Sequence, residues 1–375
     1  FVPVMTISKE DERLDSLLEI DGVSYLETDA RIYPLKEAAA HLIGYVQEIN
    51  AEELEELKDE GYQAGDQIGK NGLENILEER LRGQDGGRIY ITDEQDVEKH
   101  EVAKREPVNG ETITLTIDRN TQQVAYEQLK DEAGTVTAIH PKTGEVLALV
   151  NSPSYDPNQF VLGLSNEQWQ TWNDDPAKPL LNRFATTYAP GSVLKPITGA
   201  IALEAGAIDE DTTIELDGLT WQKDESWGSY HITRVTDPRK PVDFQTALVL
   251  SDNIYFAQAA LKTGEQALLD HAKQFGFDEP LPFEYPIYTS TFVNESFEND
   301  IQLADSGYGQ GQVEMSILHT AIAYTPFVNE GNLIAPILIK NGENEPSTVW
   351  KEAVIEKETA ALINEALIQV VHHPD

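Results

Sequence analysis

Apolar and polar positions repeat along this chain with two periods, and together these place most of its elements. Residues 193–205 are mostly apolar and small, with helix-favouring Leu203 and Glu204. Pro190 and Gly191 mark a turn just ahead of them. A helix is therefore expected to start at or near Ser192. Residues 135–140 and 146–150 read as apolar strands of a hairpin that turns through Pro141-Lys142-Thr143-Gly144. Residues 88–92 and 112–117 alternate with period two and read as strands too. Asn50 reads as the cap of an acidic helix over 51–58, and Asp118 as the cap of one over 119–130. Short helical stretches are expected at 35–41 and 73–81, and further helices at 243–250, 253–261, 316–324 and 357–371. Residues 151–187, which hold Trp169 and Trp172, read as loop-rich, as do 206–242 and 276–304.

Composition changes this picture little. With 375 residues and 40% hydrophobic content, the chain can form two domains or one large one with a sizeable core. No apolar run nears the length of a membrane span. The start, Phe1-Val2-Pro3-Val4, has neither a signal pattern nor an initiator methionine, and is read as the start of a piece of something longer. There is no cysteine, so disulfides and thiolate metal sites are excluded. Charge is the outlier: 66 acidic against 27 basic residues give a net −39. Such a surface keeps a protein soluble and repels nucleic acid and anionic lipid. No D-x-[DN]-x-[DN]-G calcium loop occurs, the glycines at 69 and 72 lack phosphate-loop spacing, and no metal or cofactor is expected.

Two short motifs carry candidate chemistry. Ser192 and Lys195 lie three residues apart, which on a helix puts both side chains on one face. A serine hydroxyl is a weak nucleophile until a base takes its proton. A lysine amine becomes that base if burial or a nearby cation lowers its pKa from ~10.4 toward neutrality. A helix N-terminus also favours negative charge developing there. Taken alone, the pair reads as a capping serine and a surface lysine, because the tetrapeptide is common. Ser251-Asp252-Asn253 falls between two expected helices and, taken alone, reads as a capping motif.

In this order the two motifs match the first two parts of the S-x-x-K, S-D-N, K-T-G signature of penicillin-binding proteins and class A β-lactamases. Over nearly its whole length the chain resembles the class B penicillin-binding proteins, the monofunctional transpeptidases of peptidoglycan synthesis. Within them it looks most like the low-affinity, methicillin-resistance type of Gram-positive bacteria. Residues 31–38, 41–46 and 68–74 resemble the family's non-catalytic pedestal, and 140–150 with 153–156 the first hairpin of its transpeptidase domain. Residues 221–228 and 305–311 resemble segments of the resistance subgroup. The resemblance implies an α+β chain: residues 1–116 the C-terminal part of a mixed α/β dimerisation-like pedestal, and 117–375 a penicillin-binding transpeptidase fold. That fold is an antiparallel sheet flanked by helices, incomplete here.

The same resemblance makes Ser192 the acylated nucleophile and Lys195 its general base. Ser251 would relay a proton toward the leaving group, while Asn253 would hold the substrate's side-chain amide and orient Lys195. The substrate implied is the D-Ala-D-Ala end of a peptidoglycan stem peptide, mimicked by β-lactams, with the Ser192 backbone N–H as half of an oxyanion hole. Implied partners are stem peptides, β-lactam antibiotics and other cell-wall synthesis proteins. The implied place is the extracytoplasmic face of the membrane, through an N-terminal anchor outside this sequence, with roles in cell shape and antibiotic resistance.

Two departures qualify the resemblance. The family's Arg-Gly-x-Ile-x-Asp-Arg-Asn-Gly pedestal start does not occur, and its third motif, Lys-Ser/Thr-Gly, belongs well past Gly311 on a strand the sequence does not reach by Asp375. Lys142-Thr143-Gly144 and Lys262-Thr263-Gly264 contain that triplet but read as a hairpin turn and a helix end. The 375 residues are thus expected to need that strand, from the parent chain or a second polypeptide, for activity. The other readings are a serine β-lactamase, a β-lactam-binding sensor and a non-catalytic scaffold fragment.

Overall fold

The structure, a computed structural model, describes residues 5–215, 218–340, 342 and 348–373. The first four and last two residues, on which the reading of the chain ends partly rests, lie outside the described residues. The chain divides into two units: residues 1–115, 122–134 and 150–181 form the first, and 116–121, 135–149 and 182–375 the second.

In the first unit Asn50 does cap the acidic helix Ala51–Glu56. Its side chain accepts from the N–H groups of Glu52 and Glu53 at 2.9 and 3.0 Å, and the Glu53 carboxylate accepts from the Asn50 N–H at 2.8 Å. Leu54 and Leu57 pack on the buried trio Ile49, Tyr62 and Ile68. The helix expected over 73–81 is two, Gly72–Ile76 and Glu78–Leu81, because Leu77 leaves helical geometry. Residues 151–181 are not all loop. Helices Asn158–Leu162 and Asn166–Asp174 form there, the second capped by the Ser165 hydroxyl, and Trp172 packs with Tyr155 and Phe160. Strand Gly87–Thr92 forms where the alternation puts one, and it pairs antiparallel with Glu98–Arg105, which was not expected.

β1 (Gly134–Ile139) and β2 (Val146–Ser152), of which residues 135–149 belong to the second unit, form the expected hairpin sheet. Residues 112–117 are no ladder strand. Thr116 instead donates its N–H to the Leu338 carbonyl at 2.8 Å, and its hydroxyl lies 2.7 and 2.8 Å from the carbonyls of Val146 and Ile337. One threonine thus ties the segment down by side chain as much as by backbone.

The centre of this unit is α1 (Lys195–Glu204), which follows a tight 3-10 turn over Gly191–Leu194. Every residue from Lys195 to Ala202 is buried, as suits a helix apolar on all sides. Strands β3 (Thr220–Trp221) and β4 (Ile232–Thr233) pair antiparallel. Helix α2 (Phe244–Val249) and helix α3 (Asn253–Thr263) pack on α1. Gly199 permits that approach: a β-carbon there would lie 2.5 Å from the Phe244 ring. Phe244 and Phe256 are 1% and 0% exposed, each burial contributing about 1.5–3 kcal/mol.

Gly264 ends α3 as expected, but α4 (Glu265–Gln274) begins at once. Helix α5 (Asp300–Ser306), capped by Asn299, begins inside the stretch 276–304 that was expected to be loop-rich, and packs on α3. Helices α6 (Ile317–Ile322), capped by Ser316, and α7 (Lys357–His372) lie where the periodicity puts them. Among the described residues no helix is long and apolar enough to cross a membrane.

Candidate active site

The Ser192 side chain is exposed on the 3-10 turn, and Lys195 below it is 1% exposed. Lys195 Nζ lies 3.0 Å from Ser192 Oγ, 2.8 Å from Ser251 Oγ and 2.6 Å from the Ser251 carbonyl. Three partners match the three hydrogens of an ammonium. Burial brings the Lys195 pKa down to about 8, while the nearby Asp252 carboxylate pushes the other way. A neutral amine keeps two hydrogens for Ser251 and turns a lone pair toward Ser192 Oγ. Spacing and burial together thus give the two things a serine nucleophile needs, a base in hydrogen-bond range and a pKa lowered to about 8.

Ser251 sits at the corner between α2 and α3 with φ +52, a left-handed conformation that costs a non-glycine residue about 1–2 kcal/mol. The corner is held by the Ser251 N–H on the Leu248 carbonyl at 3.1 Å and by Lys195 on the Ser251 carbonyl. The strain aims the hydroxyl and the carbonyl of one residue at the same amine. Next to it Asp252, 2% exposed, caps α3 by accepting from the N–H groups of Ile254 and Tyr255 at 2.8 and 3.2 Å. Its other oxygen accepts from Arg234 at 3.0 Å. Arg234, itself buried, also reaches the Gly218 carbonyl at 2.9 Å and Asp237 at 3.2 Å. Sequence reading missed Arg234. The signal was there: Ile232 and Arg234 share one face of an extended segment, so a buried Ile232 implies a buried arginine needing an acid.

Asn253 is brought to the same place but with a different contact from the one expected. Its amide donates to the Thr233 carbonyl of β4 at 2.8 Å, and Lys195 is oriented by the two serines instead. Ser192, Asn253 and Thr233 line a cleft of about 360 Å³. Its other walls are Tyr230 and His231 ahead of β4, Asp305 at the end of α5, and Tyr308, Gln310 and Gly311 after it. That second wall is locked to the nucleophile turn, since the Gly191 N–H donates to the Gly309 carbonyl at 2.9 Å. Gly309 has φ +79, and a β-carbon on it would lie 2.1 Å from the Gly191 carbonyl oxygen. Among the described residues no lysine lines the cleft. Lys142 donates to the Val328 carbonyl from the hairpin turn, and Lys262 is exposed in the last turn of α3, so neither triplet joins the site.

A serine hydroxyl 3.0 Å from a buried lysine amine is the arrangement an active-serine site would have with lysine standing where other acyl-transfer enzymes place histidine. Residues 134–375 match the family model described as the penicillin binding protein transpeptidase domain, and residues 4–115 that of the penicillin-binding protein dimerisation domain. The chain belongs to the class B penicillin-binding protein transpeptidase family. It is 45% identical to penicillin-binding protein 3 of Bacillus subtilis (strain 168) over 372 residues, 99% of this chain and 55% of that protein. It is 30% identical to the peptidoglycan D,D-transpeptidase MrdA of Escherichia coli (strain K12) over 344 residues, 88% of this chain and 54% of that one. Among solved structures it is similar to the complex between penicillin-binding protein 2 and MreC from Helicobacter pylori. There the TM-score is 0.79 at 24% identity, over 94% of this chain and 65% of that one, a likeness that speaks for the fold alone. The chain spans about half the length of the curated relatives it matches.

Proposed function

We propose that the whole protein is a serine-type peptidoglycan D,D-transpeptidase in which Ser192 is acylated by the D-Ala-D-Ala end of a stem peptide. The carrying observation is the buried Lys195 amine, within hydrogen-bond reach of both Ser192 and Ser251 and with a pKa near 8. Ser192 Oγ attacks the carbonyl of the penultimate D-Ala, and its proton passes to Lys195 Nζ. Ser251 Oγ, in contact with the same amine, passes a proton to the departing D-Ala nitrogen. The ester left on Ser192 is then taken by an amine of a neighbouring stem, Lys195 accepting that amine's proton and returning it to Ser192 Oγ as the ester bond breaks. Asn253 projects into the cleft to hold the donor's side-chain amide. The Ser192 N–H, in the first turn where N–H groups lack helical partners, faces the oxyanion. β-Lactams enter as donor mimics and remain as the ester.

In this reading residues 117–375 are the transpeptidase domain and 1–116 part of the dimerisation-like pedestal, supported by the family matches at 134–375 and 4–115. The low-affinity, methicillin-resistance character is a finer proposal, supported by the segments at 221–228 and 305–311, the second of which walls part of the cleft. Attachment to the extracytoplasmic face of the membrane, and work beside other cell-wall proteins in shaping the cell, follow from the same reading. The solved structure of similar fold holds penicillin-binding protein 2 together with MreC. Release of free D-Ala from a stem pentapeptide by the full-length protein, blocked by prior benzylpenicillin, is the expected result. A protein that binds penicillin covalently but never releases D-Ala would overturn the transpeptidase reading in favour of a sensor.

A further inference from the structure

Asp305 stands on the cleft wall as the hub of two phenols. The Tyr230 hydroxyl lies 2.7 Å from both of its carboxylate oxygens, and the Tyr308 hydroxyl donates to Oδ1. The three side chains come from two walls, Tyr230 from the turn before β4 and the other two from the end of α5 and the residues after it. All three line the same cleft as Ser192 and Asn253. The mechanism above uses none of them.

The chemistry of the hub follows from where its hydrogens point. A phenol has one hydrogen, and an ionised carboxylate has none. Both phenol hydrogens are turned inward onto Asp305. Burial and the Asp305 carboxylate hold both tyrosine pKa values above their ordinary level, so the hydrogens stay. What remains for the cleft is acceptors only: phenol lone pairs, the free carboxylate lone pairs, and two electron-rich ring faces. Among the described residues lining the cleft, Asp305 is the sole Asp, Glu, Lys or Arg. The hub therefore offers the cleft one negative charge and no hydrogen of its own, which favours a cationic donor and disfavours an anion.

We propose that the Tyr230–Asp305–Tyr308 hub is a subsite for a primary ammonium group carried by the acyl donor, set beside the amide-holding Asn253. This deepens the proposed function and rests on Ser192 being the acylated residue. The hub is fixed in register with the nucleophile, because Gly309 of the same segment is bonded to Gly191 and the Gln310 N–H returns to the Asp305 carbonyl at 3.1 Å. It selects between donors by the charge of their side chain and leaves the bond-making step to Ser192 and Lys195.

Three penicillins that share a nucleus and a phenylacetyl-type side chain separate these ideas. Ampicillin carries an ammonium on that side chain, benzylpenicillin no charge, and carbenicillin a carboxylate. Second-order acylation constants on the full-length protein, each divided by the drug's own alkaline hydrolysis rate, give a charge preference within one protein. The expected order is ampicillin, benzylpenicillin, carbenicillin, with the ampicillin-to-carbenicillin ratio falling about tenfold in Asp305→Asn and shrinking as salt rises. Because the readout is a ratio within each variant, a general loss of activity cancels. A wild-type ratio near one, or a ratio unchanged in Asp305→Asn, overturns the subsite while leaving the acylation reading intact. Should Asp305→Asn not fold, the wild-type order and its salt dependence still decide. Absence of any adduct with all three drugs removes the acylation reading and the subsite with it.

Discussion

Replacing Asp252 tests how the base is set, because one carboxylate there serves three partners. In Asp252→Asn the amide oxygen can keep capping Ile254 and Tyr255, but its NH2 then faces the Arg234 guanidinium, donor to donor. Breaking a buried ion pair from one side costs about 3–5 kcal/mol. Arg234 still has Asp237 and the Gly218 carbonyl, so the lower end applies, about 3 kcal/mol for Asn. Asp252→Ala loses the cap as well, about 1 kcal/mol more. For a domain of this size about 3 kcal/mol corresponds to a fall in Tm of roughly 6–12 °C.

The second consequence has a sign. Asp252 raises the Lys195 pKa against the larger effect of burial, so its neutralisation lets that pKa fall below about 8. Lysine acts as base when neutral, so the rising limb of acylation against pH moves to lower pH in Asp252→Asn. Thermal melts and single-turnover acylation by benzylpenicillin across neutral pH read both effects on the same samples. A melt within about 0.5 kcal/mol of the parent would refute the buried-pair argument. A limb that stays in place or moves upward would refute the electrostatic one.

Lys195→Ala is expected to slow acylation by ~10²–10⁴, whereas Lys142→Ala and Lys262→Ala, outside the site, change the same stopped-flow rate little. Gly309→Ala forces its β-carbon onto the Gly191 carbonyl and should slow penicillin acylation by more than about tenfold, with far-UV circular dichroism retained. Gly199→Ala gains up to about 1 kcal/mol of helix propensity but drives a methyl into the Phe244 ring, a clash of about 1–3 kcal/mol. Its net effect is a lower Tm, read by calorimetry.

Much of the site was legible because it is local. Pro190-Gly191 ahead of an apolar run places Ser192 at a helix start, and three residues of spacing bring Lys195 beneath it, a distance the helix itself determines. Asn50 and Asp118 announce their helices for the same reason. What was not legible depends on partners distant in sequence. Arg234 meets Asp252 eighteen residues on, and Tyr230 meets Asp305 seventy-five residues on. Asn253 looked free to orient Lys195, but β4 offers it the Thr233 carbonyl first. The helix over residues 166–174 was hidden by its polar composition, although Trp169 and Trp172 stand three apart, as a packed helical face requires. Helix α4 was hidden because Gly264, read as an ending, is also the residue from which the next helix starts.

The central claim is that Ser192 carries the covalent chemistry and Lys195 drives it. Peptide mapping by mass spectrometry of the full-length protein after brief exposure to benzylpenicillin tests it most directly. The account predicts one penicilloyl adduct, on the peptide containing Ser192, absent in Ser192→Ala and slow to form in Lys195→Ala. An adduct on any other residue, or one formed at parental rate without Lys195, would contradict it.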